Sequence, residues 1–450
     1  MTPAARPLWQ RFLIFLLPLM LANILQSLSG TINNIYVGQL LGVESLAAVS
    51  LFFPIMFFLI AFVIGISAGA TVLIGQAWGA GEIDRVKEVI GTTLTTTFLA
   101  GIVVACLGTT FIDRIMLVLG APLNILDDAA RYARVMLVGM PVFFVFLIAT
   151  SVLRGVGDTV TPLYALALSI AVGLTVTPAL IQGWMGLPRI GVSAAAVATI
   201  LASSASLVFL VLYLRIRRHP VAPDATLLRH LRVRMPTLLT VLRIGIPTAI
   251  QTAAASVAAV VVVGLVNQFG SDATAAYGAV NQVLNYVQFP AISIGIAASI
   301  FAAQAIGAGQ SGRLPSITRT ALLTNLGLTG GLIALAYAFS RDLMALFIKS
   351  PDVVDVAQTL LHIVLGSVVL FGASSILAGV MRASGAVIMP MLFSLGAILL
   401  VQLPTAVLLS RTALGLNGIW WGYVASFSTM LALNAWYYLR VWKRQPIQKL

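Results

Sequence analysis

Amide side chains recur at helical spacing inside the first long apolar segment of the chain. Asn23, Gln26, Asn33 and Asn34, with Gly30 between them, fall within about 100° of one another around a helix. An amide that faced lipid would leave its donors and acceptors unsatisfied, at a cost of about 1–3 kcal/mol or more. We therefore expect this stripe to face protein or water. It either lines a cleft that holds substrate or ion, or forms hydrogen bonds between helices.

A second polar stripe lies in the eighth apolar segment. Asn281, Asn285 and Gln288 fall within about 60° of one another on a helix. Gln251 follows the helix breaker Pro247 in the seventh segment, and we expect it to lie near this stripe. The stripe lines a cleft or holds helices together. Neutral amides bind polar or cationic groups with little selectivity for charge, so the sequence does not demand a cationic substrate.

Ionisable groups are nearly absent from the interior of the apolar segments. All 13 acidic residues fall in connectors or at segment ends, and His362 is the one histidine inside a segment. The pKa of histidine lies close to neutral pH, so His362 is a candidate proton carrier. The alternative is that His362 is hydrogen-bonded to a neighbouring helix and carries no proton. The remaining histidines and the single Cys106 are too scattered to suggest a metal site. Without convergent acids or a Ser/His pair, we expect neither an enzyme nor a bound cofactor.

The composition excludes an ordinary soluble protein. Of the 450 residues, 60% are hydrophobic and 9% are charged, and the mean hydropathy is +1.04. Soluble domains have about 45–50% apolar and about 25% charged residues. The net charge of +13 lies mainly in connectors and at the two ends of the chain. That distribution is typical of cytoplasmic loops, so we predict an integral membrane protein with no nucleic-acid partner.

Twelve segments are long enough to cross a bilayer, which takes about 20 apolar residues. They are continuously apolar rather than alternating, and this favours helices over the strands of a barrel. The predicted spans are residues 12–36, 46–75, 89–111, 131–153, 160–182, 190–214, 241–266, 275–304, 318–340, 357–380, 388–410 and 417–439. With the N-terminus inside, the inner segments hold 19 of the 26 lysines and arginines. The bias predicts that both termini are cytoplasmic.

The chain contains an internal repeat. The sequence QAWGAG at residues 76–81 returns as QAIGAG at residues 304–309, a shift of 228 positions. The same register holds without a gap over about 120 residues, and Gly191 and Gly418 then match one residue out of step. Each half has six predicted spans. Because six is even, both halves enter the membrane from the same side, and the repeat is parallel.

These observations predict an all-α integral membrane protein with twelve transmembrane helices in two pseudo-symmetric six-helix lobes. The N-terminal lobe is predicted over residues 1–214 and the C-terminal lobe over residues 241–450, with a basic cytoplasmic linker over residues 215–240. Two facing lobes leave a cleft between them. Such a cleft is the usual substrate site of transporters that alternate between inward-open and outward-open states.

Several motifs resemble those of the multidrug and toxic compound extrusion (MATE) family of secondary transporters. The similar stretches are Gly75–Gly81 with its copy at Gln304–Gly309, Leu153–Thr159, Val37–Gly42, and Leu46 to Ala48. The resemblance covers nearly the whole chain in order. It implies export of small amphipathic, often cationic organic compounds in exchange for protons or sodium. It also implies a functional monomer in the cytoplasmic (inner) membrane of a prokaryote.

The chain departs from the family pattern at one important position. Family members commonly carry an Asp in the first helix, and Asn33 stands at the matching position here. Asn cannot titrate, although its carbonyl oxygen can help to coordinate sodium. The coupling ion is therefore left open between proton and sodium. An uncoupled facilitator stays an alternative, as does a lipid-linked-sugar flippase of the same broad superfamily, which would need cationic residues in the cleft.

Overall fold

A computed structural model describes residues 7–119, 122 and 124–450, and this part of the chain is helical, with no β-strand. Its α-helices are α1 Leu8–Leu41, α2 Val43–Ser50, α3 Phe53–Gly79, α4 Ile83–Val118, α5 Leu126–Gly155, α6 Val160–Gln182, α7 Ser193–Ile216, α8 Ala225–His230, α9 Met235–Asn267, α10 Ser271–Gly307, α11 Leu314–Ala338, α12 Ser340–Ala345, α13 Pro351–Leu365, α14 Ser367–Arg382, α15 Ile388–Gly396, α16 Leu403–Ser410 and α17 Leu416–Arg440. A π-helical turn, Ala397–Gln402, joins α15 to α16. The all-helical prediction is confirmed.

The predicted spans correspond one by one to helical segments, most of which extend beyond the predicted limits. Eleven segments of the described chain are long and apolar enough to cross a membrane. The twelfth predicted span corresponds to α17, which is 25 residues long. Polar residues such as Asn417, Ser426 and Asn434 make α17 less apolar than the other spans.

Three predicted spans are interrupted, each at or near a proline or a glycine. The second span is split between α2 and α3, where Pro54 stands in the first turn of α3. The tenth is split at Gly366 between α13 and α14. In the eleventh, the π-helical turn precedes Pro404, which has no N–H to continue the α-helical pattern.

The residues group into two compact units. The N-terminal unit is Leu21–Ile246, and the C-terminal unit comprises the residues up to Met20 together with Pro247–Leu450. Helices α1 and α9 contribute to both units. Each of them carries a proline near the boundary, Pro18 and Pro247 respectively, where the helical hydrogen-bond pattern is interrupted. The lobes predicted at 1–214 and 241–450, with the linker at 215–240, stay a prediction.

The repeat is visible in the backbone as well as in the sequence. Gly42 precedes α2 with φ +93°, and Gly270, its counterpart 228 positions later, precedes α10 with φ +96°. Gly81 and its counterpart Gly309 have φ values of +75° and +70°. A positive φ is unfavourable for residues with a Cβ atom, so glycine recurs where both halves need the same turn.

Each unit has a packed apolar interior. In the N-terminal unit α4 packs on α5, and α7 packs on both α5 and α6. In the C-terminal unit α14 lies against α10 and α17. The backbones approach closely there, since a Cβ atom added at Gly379 would lie 2.6 Å from the carbonyl oxygen of Gly295. Small residues allow such close helix contacts, which van der Waals packing stabilises in a membrane.

The predicted linker is docked against the first turns of α4, within the N-terminal unit. Lys87 of α4 forms an ion pair with Asp224, and Arg234 forms one with Glu88. Asp224 also caps α8 by accepting a hydrogen bond of 2.9 Å from the Leu227 N–H. The hydrogen bond from Lys87 is the main reason why the pKa of Asp224 is lowered. This segment is therefore an ordered part of the unit.

Steric fit matters more to this docking than the ion pairs do. Each ion pair has one partner that is open to solvent, Asp224 with 48% and Arg234 with 35% of the side chain exposed, and water screens such pairs so that they contribute little. In contrast, a Cβ atom added at Gly91 would lie 2.1 Å from the carbonyl oxygen of His230. The His230 imidazole is buried, and its Nε2 lies 3.2 Å from an Asp84 carboxylate oxygen. Only glycine at position 91 allows α8 to approach α4 this closely.

A second histidine lies where this segment begins. Nε2 of His219 lies 3.9 Å from a carboxylate oxygen of Asp158, which also accepts hydrogen bonds from the backbone N–H groups of Val160 and Thr161. Burial lowers the pKa of His219, and this effect outweighs the attraction of Asp158, which acts in the opposite direction. His219 is thus held mainly neutral at neutral pH.

Candidate functional site

A polar cavity lies inside the N-terminal unit, with a volume of about 180 Å³. Helices α1, α5, α6 and α7 all contribute to its wall. Of the first predicted stripe, Gln26 and Asn33 line the cavity, whereas Asn23 and Asn34 are half-buried outside its lining. The structure therefore brings two of the four predicted α1 amides to a common site.

Asn33 is fixed in this cavity by a neighbouring helix. The Thr177 hydroxyl of α6 donates a hydrogen bond of 3.3 Å to the Asn33 Oδ1 atom. Thr177 is almost fully buried, and Pro178 follows it in α6. The proline interrupts the backbone hydrogen bonds of α6 near the cavity wall. The Asn33 oxygen thus faces a hydroxyl group in the interior of the unit.

Five hydroxyl residues of the cavity wall were missed by the sequence reasoning. They are Ser29 on α1, Ser169 and Thr177 on α6, and Thr199 and Ser203 on α7. The spacing of the four on α6 and α7 is a signal that could have found them. Ser169, Gly173 and Thr177 recur every four residues, as do Thr199 and Ser203, so each set follows one face of its helix. Serine and threonine also occur in membrane helices that line no cavity, so this spacing alone does not predict a site.

The wall of this cavity is electrically neutral. Its polar groups are amides and hydroxyls, and the rest of the lining comprises glycine and apolar residues, among them Phe143, Phe146 and Leu166. No carboxylate, imidazole, ammonium or guanidinium group is present among the lining residues. The cavity offers oxygen atoms that can coordinate a cation, but it has no group that changes charge near neutral pH.

The second predicted stripe is arranged differently. The side chain of Asn281 is hydrogen-bonded to the Tyr277 hydroxyl one turn earlier on α10. Asn285 is exposed and Gln288 is half-buried. Gln251 donates a hydrogen bond of 2.6 Å to the Ser394 hydroxyl of α15, and not to a residue of the stripe. A cleft-lining role for these four residues stays a prediction.

His362 lies near one end of its membrane segment. Its Nε2 is 2.9 Å from the Ser340 hydroxyl, and its ring packs on Tyr337 with centroids 5.1 Å apart. The histidine is exposed. Its counterpart in the first half is Arg134, which forms an exposed ion pair with Asp113. These contacts are typical of a residue that joins helix ends, and the role as a proton carrier stays a prediction.

The fold is that of a multi-pass membrane protein built from two repeats, and comparison with known proteins identifies its family. The family model MatE matches residues 18–179 and again residues 247–408. The two matches coincide with the two halves of the repeat. The chain therefore belongs to the MatE family of membrane transporters, as its motifs predicted, and it is a transporter and not an enzyme.

Curated relatives cover almost the whole chain. A probable multidrug resistance protein of Bacillus subtilis, YoeA, is 43% identical over 443 residues, covering 98% of this chain and 96% of that protein. The multidrug export protein MepA of Staphylococcus aureus is 24% identical over 443 residues, covering 96% and 94%. The similarity thus extends over nearly the whole length of both relatives.

Solved structures share the fold. A mutant of the Vibrio cholerae MATE transporter VcmN superposes with a TM-score of 0.89 at 19% identity, covering 98% of each chain. A transporter of the MOP superfamily from Pyrococcus furiosus superposes with a TM-score of 0.86 at 22% identity, covering 96% and 95%. At these identities the similarity establishes the fold alone.

Proposed function

We propose that this protein is a secondary active exporter of small organic compounds that works by alternating access of its two six-helix lobes. The relatives' names support multidrug substrates, and the amide-rich stripes suit amphipathic compounds, including cationic ones. We further propose that the protein acts as a monomer in the cytoplasmic membrane of a prokaryote. The distribution of lysine and arginine supports cytoplasmic termini.

We base our proposal about energy coupling on the neutral cavity around Asn33. Sites for drug-sized ligands commonly have about 300–1,000 Å³, whereas this cavity has about 180 Å³. It is too small to enclose such a ligand, but it can hold an ion with a few water molecules. We assign sodium as the ion bound here, since the wall supplies amide and hydroxyl oxygens and no titratable group.

The distribution of charge disfavours the flippase. A lipid-linked sugar carries phosphate, and its site would be expected to contain lysine or arginine within the membrane. Lysine and arginine lie instead in connectors and at the ends of the predicted spans. One observation favours an uncoupled facilitator: the carboxylate that family members commonly carry in the first helix is replaced by Asn33. The experiment below therefore distinguishes coupled transport from uncoupled transport.

The test is efflux of a fluorescent organic cation from proteoliposomes, with a sodium gradient and a proton gradient imposed separately. We expect uphill efflux with the sodium gradient and little with the proton gradient. Asn33→Leu and Thr177→Val should each lower sodium-driven efflux at least about tenfold, the effect of losing about 1.4 kcal/mol of ion binding at limiting sodium.

Thr175→Val is a matched control on the same helix. The Thr175 hydroxyl is exposed and is hydrogen-bonded to the α6 backbone at Ala171 and Val172. This variant should transport normally, and all variants should reach the membrane in equal amounts. Normal sodium-driven efflux by Asn33→Leu would remove Asn33 from the site. Efflux that ignores both gradients would favour the facilitator.

A further inference from the structure

A second, larger cavity of the N-terminal unit lies where α7 begins. It has a volume of about 800 Å³ and shares no lining residue with the Asn33 cavity. Its wall includes the end of α1, the start of α5 and the connector that leads into α7. These elements adjoin connectors that are predicted to lie outside the cell. Nothing in the proposed transport function accounts for this cavity.

One buried group in its wall has no partner. Ser193, the first residue of α7, is 5% exposed, and its hydroxyl has no hydrogen-bond partner in the described part of the chain. A buried hydroxyl that is left unsatisfied costs about 1–3 kcal/mol. Ser193 lines the cavity, and a change of its χ1 rotamer would turn the buried hydroxyl toward a bound ligand that accepts the missing hydrogen bond.

The charges around Ser193 favour an anion. Arg131 and Arg189 both line the cavity, and within the described residues neither forms an ion pair. The N-terminus of a helix adds partial positive charge and backbone N–H groups at Ser193. Asp128 also lines the cavity, so the three side chains together carry one net positive charge at neutral pH. A singly charged oxyanion would neutralise the site.

The rest of the wall suits an organic ligand. Val135, Ile190 and Val197 contribute apolar surface to a cavity whose size lies within the range of about 300–1,000 Å³ found for small-molecule sites. An inorganic ion would leave most of that volume unfilled. An anion with an apolar body would occupy both the charged and the apolar parts of the wall.

The second half of the repeat is closely packed at the position that matches Ser193. Gly191 faces open space, whereas a Cβ atom at its counterpart Gly418 would lie 2.5 Å from the backbone of Leu409. Ser193 lies two residues after Gly191, and Trp420 lies two residues after Gly418. The counterpart of Ser193 is therefore Trp420, which is fully buried. The open, charged site is therefore specific to the first half and is not a consequence of the shared helical frame.

We propose that this cavity, the α7 anion site, binds a singly charged organic oxyanion, either a carboxylate or a phosphate diester. Its charged group lies between Arg131 and Arg189 and accepts a hydrogen bond from the Ser193 hydroxyl. The guanidinium groups provide the planar pairs of donors that carboxylate and phosphate oxygens accept. The anion comes either from solution or from the headgroup of an anionic phospholipid.

The experiment is calorimetric titration of the purified full chain in uncharged detergent. The probe is 2-naphthoate, and 2-naphthamide is the uncharged control with the same ring. We expect naphthoate to bind and the amide to bind at least about tenfold more weakly, since the charge-assisted hydrogen bonds are lost. The double variant Arg131→Gln/Arg189→Gln should weaken naphthoate binding at least about tenfold for the same reason.

Two further variants separate the site from general effects of charge and folding. Ser193→Ala should weaken binding about threefold to tenfold, the usual effect of one hydrogen bond, without lowering the thermal unfolding temperature of the free protein. Arg114→Gln changes the net charge of an exposed position that does not line the cavity, and it should bind naphthoate like the wild type. Equal affinity in the wild type and the double variant, or equal binding of both probes, would overturn the proposal.

The source of the anion is tested in nanodiscs. Naphthoate affinity is compared in phosphatidylcholine discs and in discs that also contain phosphatidylglycerol. Competition by phosphatidylglycerol that disappears in the Arg131→Gln/Arg189→Gln variant would support the site and identify a lipid headgroup as its occupant. Unchanged affinity would support the site with a soluble organic acid as its ligand.

Discussion

The two halves of the repeat differ most where the first half encloses the Asn33 cavity. Ser169 and Ser203 line that cavity, and their counterparts in the second half are Ala397 and Met430. Ala397 and Met430 pack with Phe427 in an apolar cluster. At these two positions, a hydroxyl that lines the cavity of the first half is replaced by an apolar residue that is packed in the second half.

Asn33 follows the same pattern. Its counterpart, 228 positions later, is Val261. The difference indicates that the cavity does not follow from the helical frame, which both halves share. Apolar residues stand at several cavity positions in the second half, and introducing one of them into the first half by mutation provides a direct test of what the cavity does.

The two halves also differ in how the third span of each is covered. In the first half, α8 is docked on α4 at Gly91. The counterpart of Gly91 on α11 is Arg319, which is exposed. An arginine there leaves no room for a backbone to approach as closely as α8 does. The N-terminal unit therefore has an additional docked segment that the repeat itself does not require.

The largest effect is expected when the Asn33 cavity is filled with the residue of the second half. Gly173 lines the cavity, and a Cβ atom added there meets no atom within 4 Å. Its counterpart is Val401. Gly173→Val should lower transport at least about tenfold without lowering stability, since glycine inside a helix costs about 0.5–1 kcal/mol relative to alanine. Proteoliposome efflux and thermal unfolding measure the two effects.

The matched control for this substitution is Gly327→Val on α11. A Cβ atom at Gly327 also meets no atom within 4 Å, and the residue is exposed. Transport should be normal in this variant. If Gly173→Val transported at the wild-type rate, the difference between the two halves would have no role in transport.

A smaller effect on stability is expected when the docking of α8 is blocked. Gly91→Ala places a methyl group against the carbonyl oxygen of His230 and should lower the free energy of unfolding by about 1–3 kcal/mol. Hydrogen exchange should become faster over Ala225–His230. Arg319→Ala, the corresponding substitution in the second half, should leave both quantities unchanged. Unaltered exchange in Gly91→Ala would show that α8 does not depend on this contact.

The smallest effect is expected at His362. Its contacts with Ser340 and Tyr337 join helix ends, as the ion pair of Arg134 does in the first half. His362→Ala should therefore leave the transport rate and its dependence on pH nearly unchanged. The measurement is efflux at several pH values under a fixed sodium gradient. Loss of proton dependence alone would make His362 the coupling residue and contradict sodium coupling.

The helices and the repeat were predictable because they depend on long, regular patterns. Continuous apolar segments and a register held over many residues leave little choice of fold in a membrane. The split at Gly366 and the π-helical turn before Pro404 were not predicted. Such interruptions depend on which backbone hydrogen bonds neighbouring helices can restore, and one sequence does not show this.

The candidate site was predictable only in part. The amide stripe indicated one polar face of α1, and Asn33 and Gln26 do line the cavity. Its hydroxyl wall on α6 and α7 depends on which helices pack together, so Thr177 could not be paired with Asn33 in advance. The docking of residues 215–240 on α4 was also not predicted, since their basic composition indicated only a cytoplasmic connector.

Sodium uptake tests the central claim most directly. Proteoliposomes loaded with an organic cation are placed in medium that contains radioactive sodium, and sodium entry is followed with and without internal substrate. With sodium coupling at the Asn33 cavity, internal substrate should accelerate sodium entry in the wild type, and Asn33→Leu should abolish the acceleration. Substrate efflux with no accompanying sodium entry would contradict sodium coupling at the Asn33 cavity.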